Sequence, residues 1–211
     1  RSKVNHLQFL LFDDCYMANI ETAYELSRVT DYLIGCPTEI MGHGMPYREM
    51  WKYLAPIHPD YGKAVDRFYD FYSNYSIGSI DYHYGTISVT DCRNIDAMMQ
   101  VLDDIHARYR IGTSVGSNLQ VLDGYRPAAF FDFSDYIHKL CAGDATLVGR
   151  FDRALSQLVP FERHTANYFS SLTNAGEHSI STCCGLTISA PSTNIMVTNS
   201  KPRSHFYALF R

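Results

Sequence analysis

Residues 7–20, LQFLLFDDCYMANI, decide the fold. LQFLLF is an uncharged, almost wholly apolar run of strand length, the pattern of a strand buried on both faces. It is far too short to cross a bilayer. Helical spacing follows over Asn19–Val29, where Ile20, Ala23, Tyr24 and Ser27 share a face and Asn19 is available as the cap. Asp13, Asp14 and Cys15 therefore stand where a strand gives out and before a helix begins. In open parallel sheets, ligands collect in the crevice beyond the carboxyl ends of the strands. Two carboxylates at such a point are costly to bury, so the junction is either a turn or a site.

The alternation continues outward from this stretch. Tyr32–Cys36 (YLIGC) is a second short apolar strand closed by Pro37, and residues 37–47, PTEIMGHGMPY, form a glycine- and proline-rich loop. Helical patterns cover Tyr47–Leu54 and Asp60–Tyr75, and Gly85–Thr90 (GTISVT) reads as a strand. Asn94–Tyr109 is the clearest helix, with Ile95, Met98, Met99, Leu102, Ile105 and Tyr109 along one core-facing stripe. Strands alternating with helices at this pitch predict an α/β fold: a mostly parallel central sheet with helices on both faces. After about residue 110 the pattern loosens. Gly112–Asp123 is a polar connection, helices are predicted at Ser134–Leu140 and Leu147–Leu158, and strands at Leu158–His164 and Ile180–Ser189. The expected organisation is one compact unit: residues 1–110 form the half bearing Cys15, and residues 111–211 supply the remaining sheet elements and a C-terminal helical and β-rich portion.

With 211 residues, 46% of them hydrophobic, the chain has enough apolar material for a full core. Charged residues are 19% and the net charge is −4, so no basic field points to nucleic acid or to an anionic membrane surface. The six cysteines, at 15, 36, 92, 141, 183 and 184, form no CxxC pair, which speaks against a zinc ribbon or a thioredoxin-like motif. Most lie in apolar runs, where a free cysteine behaves as a small hydrophobe. A disulfide framework is not expected in a chain with this much core. Cys183 and Cys184, taken with His178 and His205, fit no usual ligand spacing, and no metal site is predicted.

A thiol placed just ahead of a helix feels the positive end of the helix dipole, which favours the thiolate that attacks carbonyls. A neighbouring carboxylate opposes that ionisation, so Asp13 is not an activator. A fixed carboxylate beside a nucleophile is better suited to holding a cationic substrate side chain. The same residues also read as a structural cysteine with two aspartates capping helix and turn, and on the residues alone both readings stand.

The order of the motifs adds to this. FDDCYMANIETAYEL, the strand YLIG, the loop CPTEIMGHGMPY, then GTISVTDCRNIDAM, FERHTANYF and CCGLTISAP together resemble the clostripain family of cysteine peptidases, and the likeness covers most of the chain. The resemblance implies the caspase-like α/β/α sandwich and hydrolysis of peptide bonds after arginine or lysine by a Cys-His dyad. It implies that Cys15 is the nucleophile and that Asp13 is the acid at the base of the primary specificity pocket. It also implies that the 37–47 loop is another wall of that pocket, with Thr38 a contributor to substrate binding. Where relatives carry an aspartate in a Gly-Asp-Gly turn, this chain has Gly42-His43-Gly44.

The dyad histidine of the family follows an upstream strand in a His-Gly motif. Only His6 precedes Cys15 here, and a seven-residue strand spans roughly 20 Å, which puts His6 at the far edge of the sheet. Among the other histidines only His43, followed by Gly44, offers a His-Gly pair; it is the alternative for the dyad base, though the pair reads as coincidental, and His164 reads as a structural or pocket-side residue. The resemblance thus implies a missing upstream segment or a smaller second chain of the same precursor that supplies the histidine. It further implies maturation by internal cleavage near the basic start RSK, a C-terminus that stops short of its relatives, and inactivity of this chain alone. No cofactor is implied for the chemistry. Some relatives need calcium, and no EF-hand-like loop is present. Export from a bacterial cell is implied by the family alone. Two other readings are a non-catalytic binding or scaffold protein of the same fold, and an unrelated α/β cysteine hydrolase or acyltransferase on small molecules.

Overall fold

The opening apolar run forms β1 (Leu7–Leu11), which is exposed or partly buried along its length, not buried as expected, because it lies at an edge of the sheet. Asn19 caps α1 (Ile20–Leu26) by accepting a hydrogen bond from Thr22 N. The computed structural model describes residues 6–210. In chain order there follow β2 (Thr30–Gly35), α2 (Tyr47–Leu54), α3 (Tyr61–Tyr72) and a small hairpin of β3 (Ser76–Ile77) and β4 (Ile80–Asp81). Then come β5 (Thr86–Asp91), α4 (Ile95–Tyr109), β6 (Phe131–Asp132), α5 (Phe133–Leu140) and α6 (Ala145–Leu158). The chain closes with β7 (Phe161–His164), β8 (Asn167–Ser170), β9 (Gly176–Ser179), β10 (Thr187–Ile188), α7 (Ile195–Ser200) and α8 (His205–Ala208).

The central sheet has the order β1-β2-β5-β7, and helices cover both faces. One face of β2 and β5, through Ile34, Ile87 and Val89, packs with α2 and α3 around Met50, Leu54, Phe68 and Tyr72. On the other side Ile20, Met98, Leu102, Phe133, Phe151, Leu158 and Phe206 gather α1, α4, α5, α6 and α8 into a second core, which joins residues from both sides of residue 110. Burial of large apolar side chains on both faces is what holds the layers together. Among the described residues no helix is long and apolar enough to cross a membrane.

Strand direction departs from the expected mostly parallel sheet. β1 and β2 are parallel, with Phe9 opposite Tyr32 and Leu11 opposite Ile34. β5 runs antiparallel to β2, and β7 antiparallel to β5, so the sheet is mixed. The burial pattern of β5, buried at all six positions, is the same whichever way a strand points. Direction is set by the edge to which the α2–α3–hairpin connection returns the chain, and no local pattern encodes that.

The C-terminal part also differs. Of the strand expected over Ile180–Ser189, only Thr187–Ile188 forms one. Upstream of it the backbone is satisfied by side chains: Ser181 N donates to Gln120 Oε1 at 2.7 Å and Cys184 N to Asp132 Oδ2 at 2.7 Å. Gly185 then turns the chain at φ +84°, with its carbonyl taken by Ser88 Oγ at 2.5 Å. The final residues are helical, not strand-rich, and α8 docks on α1 through Glu25, which accepts from His205 N at 2.7 Å, and through Glu21, which accepts from Tyr207 Oη at 2.6 Å.

The loop before β6 has no regular structure and is ordered by one buried carboxylate. Asp123 accepts from Tyr125 N at 2.6 Å, Ala129 N at 2.8 Å and Phe130 N at 2.5 Å. Asp123→Ala strands these donors and is expected to cost about 3 kcal/mol of unfolding free energy in urea titrations. A loss below about 0.5 kcal/mol would show that solvent replaces the carboxylate.

Candidate active site

Cys15 stands at the crest of a chain reversal. Phe12 N still donates to Ile34 O at 2.9 Å, continuing the parallel ladder of β1 and β2. Four residues later the chain comes back along its neighbour in the opposite sense, with Tyr16 N on Thr38 O at 3.1 Å and Ala18 N on Cys36 O at 3.2 Å. Tyr16 makes the reversal at φ +62°, a left-handed conformation unfavourable for a residue with a Cβ. It is held by Asn19 Nδ2 donating to Tyr16 O at 2.7 Å and by stacking of its ring on Phe130, centroids 5.1 Å apart.

The helix dipole is not what sets the thiol. α1 starts five residues beyond Cys15, its first-turn Thr22 N is spent on Asn19, and dipole effects fade within one turn. Half-buried Cys15 is instead held above the ordinary thiol range, first by burial and then by the Glu39 and Asp14 carboxylates, while the backbone at Ile40 acts the other way. Its Sγ lies 4.0 Å from Ile40 O, and its N–H donates to Asp14 Oδ1 at 2.8 Å.

Asp13 is exposed at the strand end and is gripped by the 42–47 loop. Its Oδ1 accepts from Met45 N at 2.8 Å. Gly44, at φ +74°, lies directly under the carboxylate, and a Cβ there would stand 2.7 Å from Asp13 Oδ1. Tyr72 Oη donates to Gly44 O at 2.6 Å, so the loop is also anchored to α3. The Tyr47 phenol is raised by burial and by its hydrogen bond to Asp13. The buried Cys36 thiol is raised well above its usual range, first by burial, with the Asp13 carboxylate acting in the same direction.

Thr38 lies behind this wall. It is 0% exposed, its hydroxyl is 2.7 Å from Thr86 Oγ1 and its N–H reaches the same atom at 3.2 Å. Its side chain braces the loop to β5, and what it presents to the site is its backbone. The next residue, Glu39, carried no signal beyond being an acid in a loop otherwise poor in charge. Its carboxylate nevertheless receives Tyr16 Oη at 3.1 Å, Ser170 Oγ at 2.8 Å, Ser171 N at 3.0 Å and Ser171 Oγ.

Among the described residues no histidine hydrogen-bonds to Cys15. His6 is at the opposite end of β1, 2.9 Å from Asp31 Oδ1. The His43 ring rests on Phe71 and Tyr75, centroids 4.8 and 5.3 Å away, and His164 Nδ1 is 2.8 Å from Thr165 O. A cavity of about 760 Å³, lined by Arg28, Cys92, Arg93 and His205, lies at the other end of the sheet, by the start of β2. A smaller one of about 420 Å³ borders Tyr125, whose ring is 6.1 Å from that of Tyr16. Among the described residues no group of three or more His, Cys, Asp or Glu side chains is gathered as for a metal ion.

The sequence profile of the clostripain family matches residues 2–180. Comparison with curated proteins gave no match. Among solved structures, a clostripain from Bacteroides thetaiotaomicron ATCC 29148, crystallised with the peptide inhibitor BTN-VLTK-AOMK, is 45% identical with a TM-score of 0.89, covering 97% of this chain and 87% of that one. A secreted cysteine protease of Bacteroides thetaiotaomicron, "iotapain", is also 45% identical with a TM-score of 0.89. The match covers 98% of this chain and 56% of that protease, so the chain spans little more than half of its length. An inactive zymogen protease from Parabacteroides distasonis, 24% identical over 97% of this chain and 59% of its own, shares the fold with a TM-score of 0.84. A Cys-bearing strand end, a sandwich of helices about a mixed sheet and a family match over most of the chain lead to one conclusion: the chain belongs to the clostripain family of cysteine peptidases.

Proposed function

We propose that this chain carries the nucleophile and the basic-residue pocket of an endopeptidase that cleaves after arginine or lysine. The observation that carries the reading is the Asp13 carboxylate, held on Met45 N at 2.8 Å yet exposed, two residues from a half-buried thiol. A guanidinium or ammonium group leaving water needs a paired, hydrogen-bonding anion, and Asp13 is suited to be that anion. The inhibitor on the 45%-identical clostripain has the peptide letters VLTK, ending in a lysine, which agrees with a basic residue at this position.

The chemistry then needs a base. With its thiol raised by burial and by two carboxylates, Cys15 is protonated at neutral pH and nucleophilic only beside a cation or general base. A histidine from an upstream segment, or from a smaller chain of the same precursor, would take the thiol proton. The thiolate attacks the scissile carbonyl carbon, and the histidine passes its proton to the leaving amine. Water then hydrolyses the thioester, with the histidine as base, and regenerates the thiol. The Cys15 N–H is the oxyanion donor on this chain; because it is bonded to Asp14 Oδ1, Asp14 must turn away first. The glycine after the histidine would supply the second donor. β1 is one of the two outer strands of the described sheet, and its apolar residues are exposed or partly buried, an edge suited to a further strand bringing that histidine. No cofactor takes part in this scheme. Export follows in the same proposal from the likeness to a secreted protease.

The test is hydrolysis of Arg-, Lys- and neutral-ended fluorogenic peptides by the full-length protein. Cys15→Ala is expected to reduce basic-peptide cleavage to background, and undiminished activity would overturn the reading. Mass spectrometry of the active preparation should find a shorter companion chain or an uncut precursor containing a His-Gly motif. Asp13→Asn keeps an acceptor for Met45 N but removes the charge, and should lower kcat/KM for basic peptides about 10²-fold or more. An unchanged preference for basic over neutral peptides would reduce Asp13 to a turn cap. Gly44→Ala drives a methyl into the Asp13 carboxylate at a positive φ; its expected signature is a raised KM for basic peptides, with a stability loss of about 1–3 kcal/mol in thermal melts.

A further inference from the structure

Glu39 joins three pieces of chain that are far apart in sequence. We propose that Glu39 is a positioning residue whose carboxylate locks the Cys15 turn, the wall of the Asp13 pocket and the β8–β9 hairpin into one rigid unit. The inference rests on the reading of Cys15 as nucleophile.

The contacts account for both carboxylate oxygens. Oε2 accepts from Tyr16 Oη at 3.1 Å and from Ser170 Oγ at 2.8 Å, while Ser171 N reaches both oxygens at 3.0 Å and Ser171 Oγ donates to Oε1. Tyr16 is the residue after the nucleophile, and its left-handed backbone persists only where its surroundings hold it. Glu39 holds its phenol while Thr38 O and Asn19 hold its backbone. On the other side of Glu39, the Ile40 carbonyl is the group nearest the Cys15 sulfur among its hydrogen-bonding contacts. The grip extends further through Ser170, which is 0% exposed: a Cβ on Gly124 would lie 2.2 Å from Ser170 Oγ, so the Asp123 loop packs hard against the same clamp. Every donor to Glu39 is neutral, and no ion pair to it is present among the described residues.

An uncompensated carboxylate in this place has a second consequence. The charged or titratable groups that bear on the Cys15 thiol are Asp14 on its own turn, Glu39 on the loop after β2, the neighbouring buried Cys36, and Tyr125 on the loop before β6. The Cys36 thiol and the Tyr125 phenol are themselves pushed up and stay neutral, so the charges that add to burial in raising the Cys15 thiol are those of Glu39 and Asp14. The clamp that fixes the nucleophile therefore also restrains it until a cation arrives.

Glu39→Gln and Glu39→Ala in the full-length protein separate the two effects. Gln retains acceptors, and the hydroxyl partners can reverse their roles, so kcat/KM on a basic peptide should stay within about tenfold of wild type. Ala releases the turn and should lower kcat/KM roughly 10²-fold. In both variants, iodoacetamide labelling of Cys15, read on its own peptide by mass spectrometry, should reach half-maximal rate at a lower pH than in wild type. Wild-type kcat/KM in Glu39→Ala, or a labelling midpoint unmoved in both variants, would overturn the proposal. If the peptidase reading itself were wrong, Cys15→Ala would retain activity, while the labelling midpoint would still report on Glu39. Should Glu39→Ala fail to fold, the double variant Tyr16→Phe, Ser170→Ala, which removes two donors to the carboxylate, takes its place, and wild-type kcat/KM there overturns the proposal.

Discussion

The site depends on a single backbone constraint: the chain leaving β1 must stay paired with the chain leaving β2, first parallel and then reversed. Phe12 on Ile34, Tyr16 on Thr38 and Ala18 on Cys36 are the tethers, and Asp13, Asp14 and Cys15 are the residues that loop out between them. Because both ends of the reversal are bound to one neighbour, its side chains face that neighbour's continuation, residues 39–45. Gly35 permits the close approach, since a Cβ there would lie 3.3 Å from Ala18 N. Carboxylate, thiol and pocket wall are thus brought together by main-chain geometry, and the side chains add to it.

The electrostatics follow from that arrangement. Asp13, Asp14 and Glu39 crowd one end of the sheet, and the ion pairs of the described residues lie elsewhere, as in Arg93 with Asp91 and Arg108 with Asp144. Such a field attracts a cation and penalises a thiolate at the same time. Under the proposed function, a basic side chain and a histidinium would supply the positive charge that this end of the sheet lacks.

Much of the framework was legible from local pattern. The capped start of α1 at Asn19, the span Tyr47–Leu54 of α2 and the long stripe of α4 were readable because side-chain period and capping involve neighbours within a few residues. The hairpin β8–β9 and the helices α7 and α8 were not read, since their sequences are short, polar and weakly periodic. Thr38 was singled out as a pocket contributor, yet its hydroxyl is turned inward to Thr86, a partner 48 residues away that no spacing announces. Glu39 has no local signature for the same reason, its partner Ser170 lying 131 residues further on.

By itself the sequence determined the strands β1, β2, β5 and β7 and the helices α1 to α6, that a thiol and two acids stand where a strand ends, and, through the order of its motifs, the family. Those properties are local, or are carried by residue identity. Only the tertiary structure decided that the sheet is mixed, that the Thr38 hydroxyl turns inward to Thr86 while its carbonyl takes Tyr16 N, and that Glu39 binds the Tyr16 phenol. Each of these turns on where distant segments return in space, and chain direction and long-range hydrogen bonding are set by the packing of the two cores on either side of the sheet.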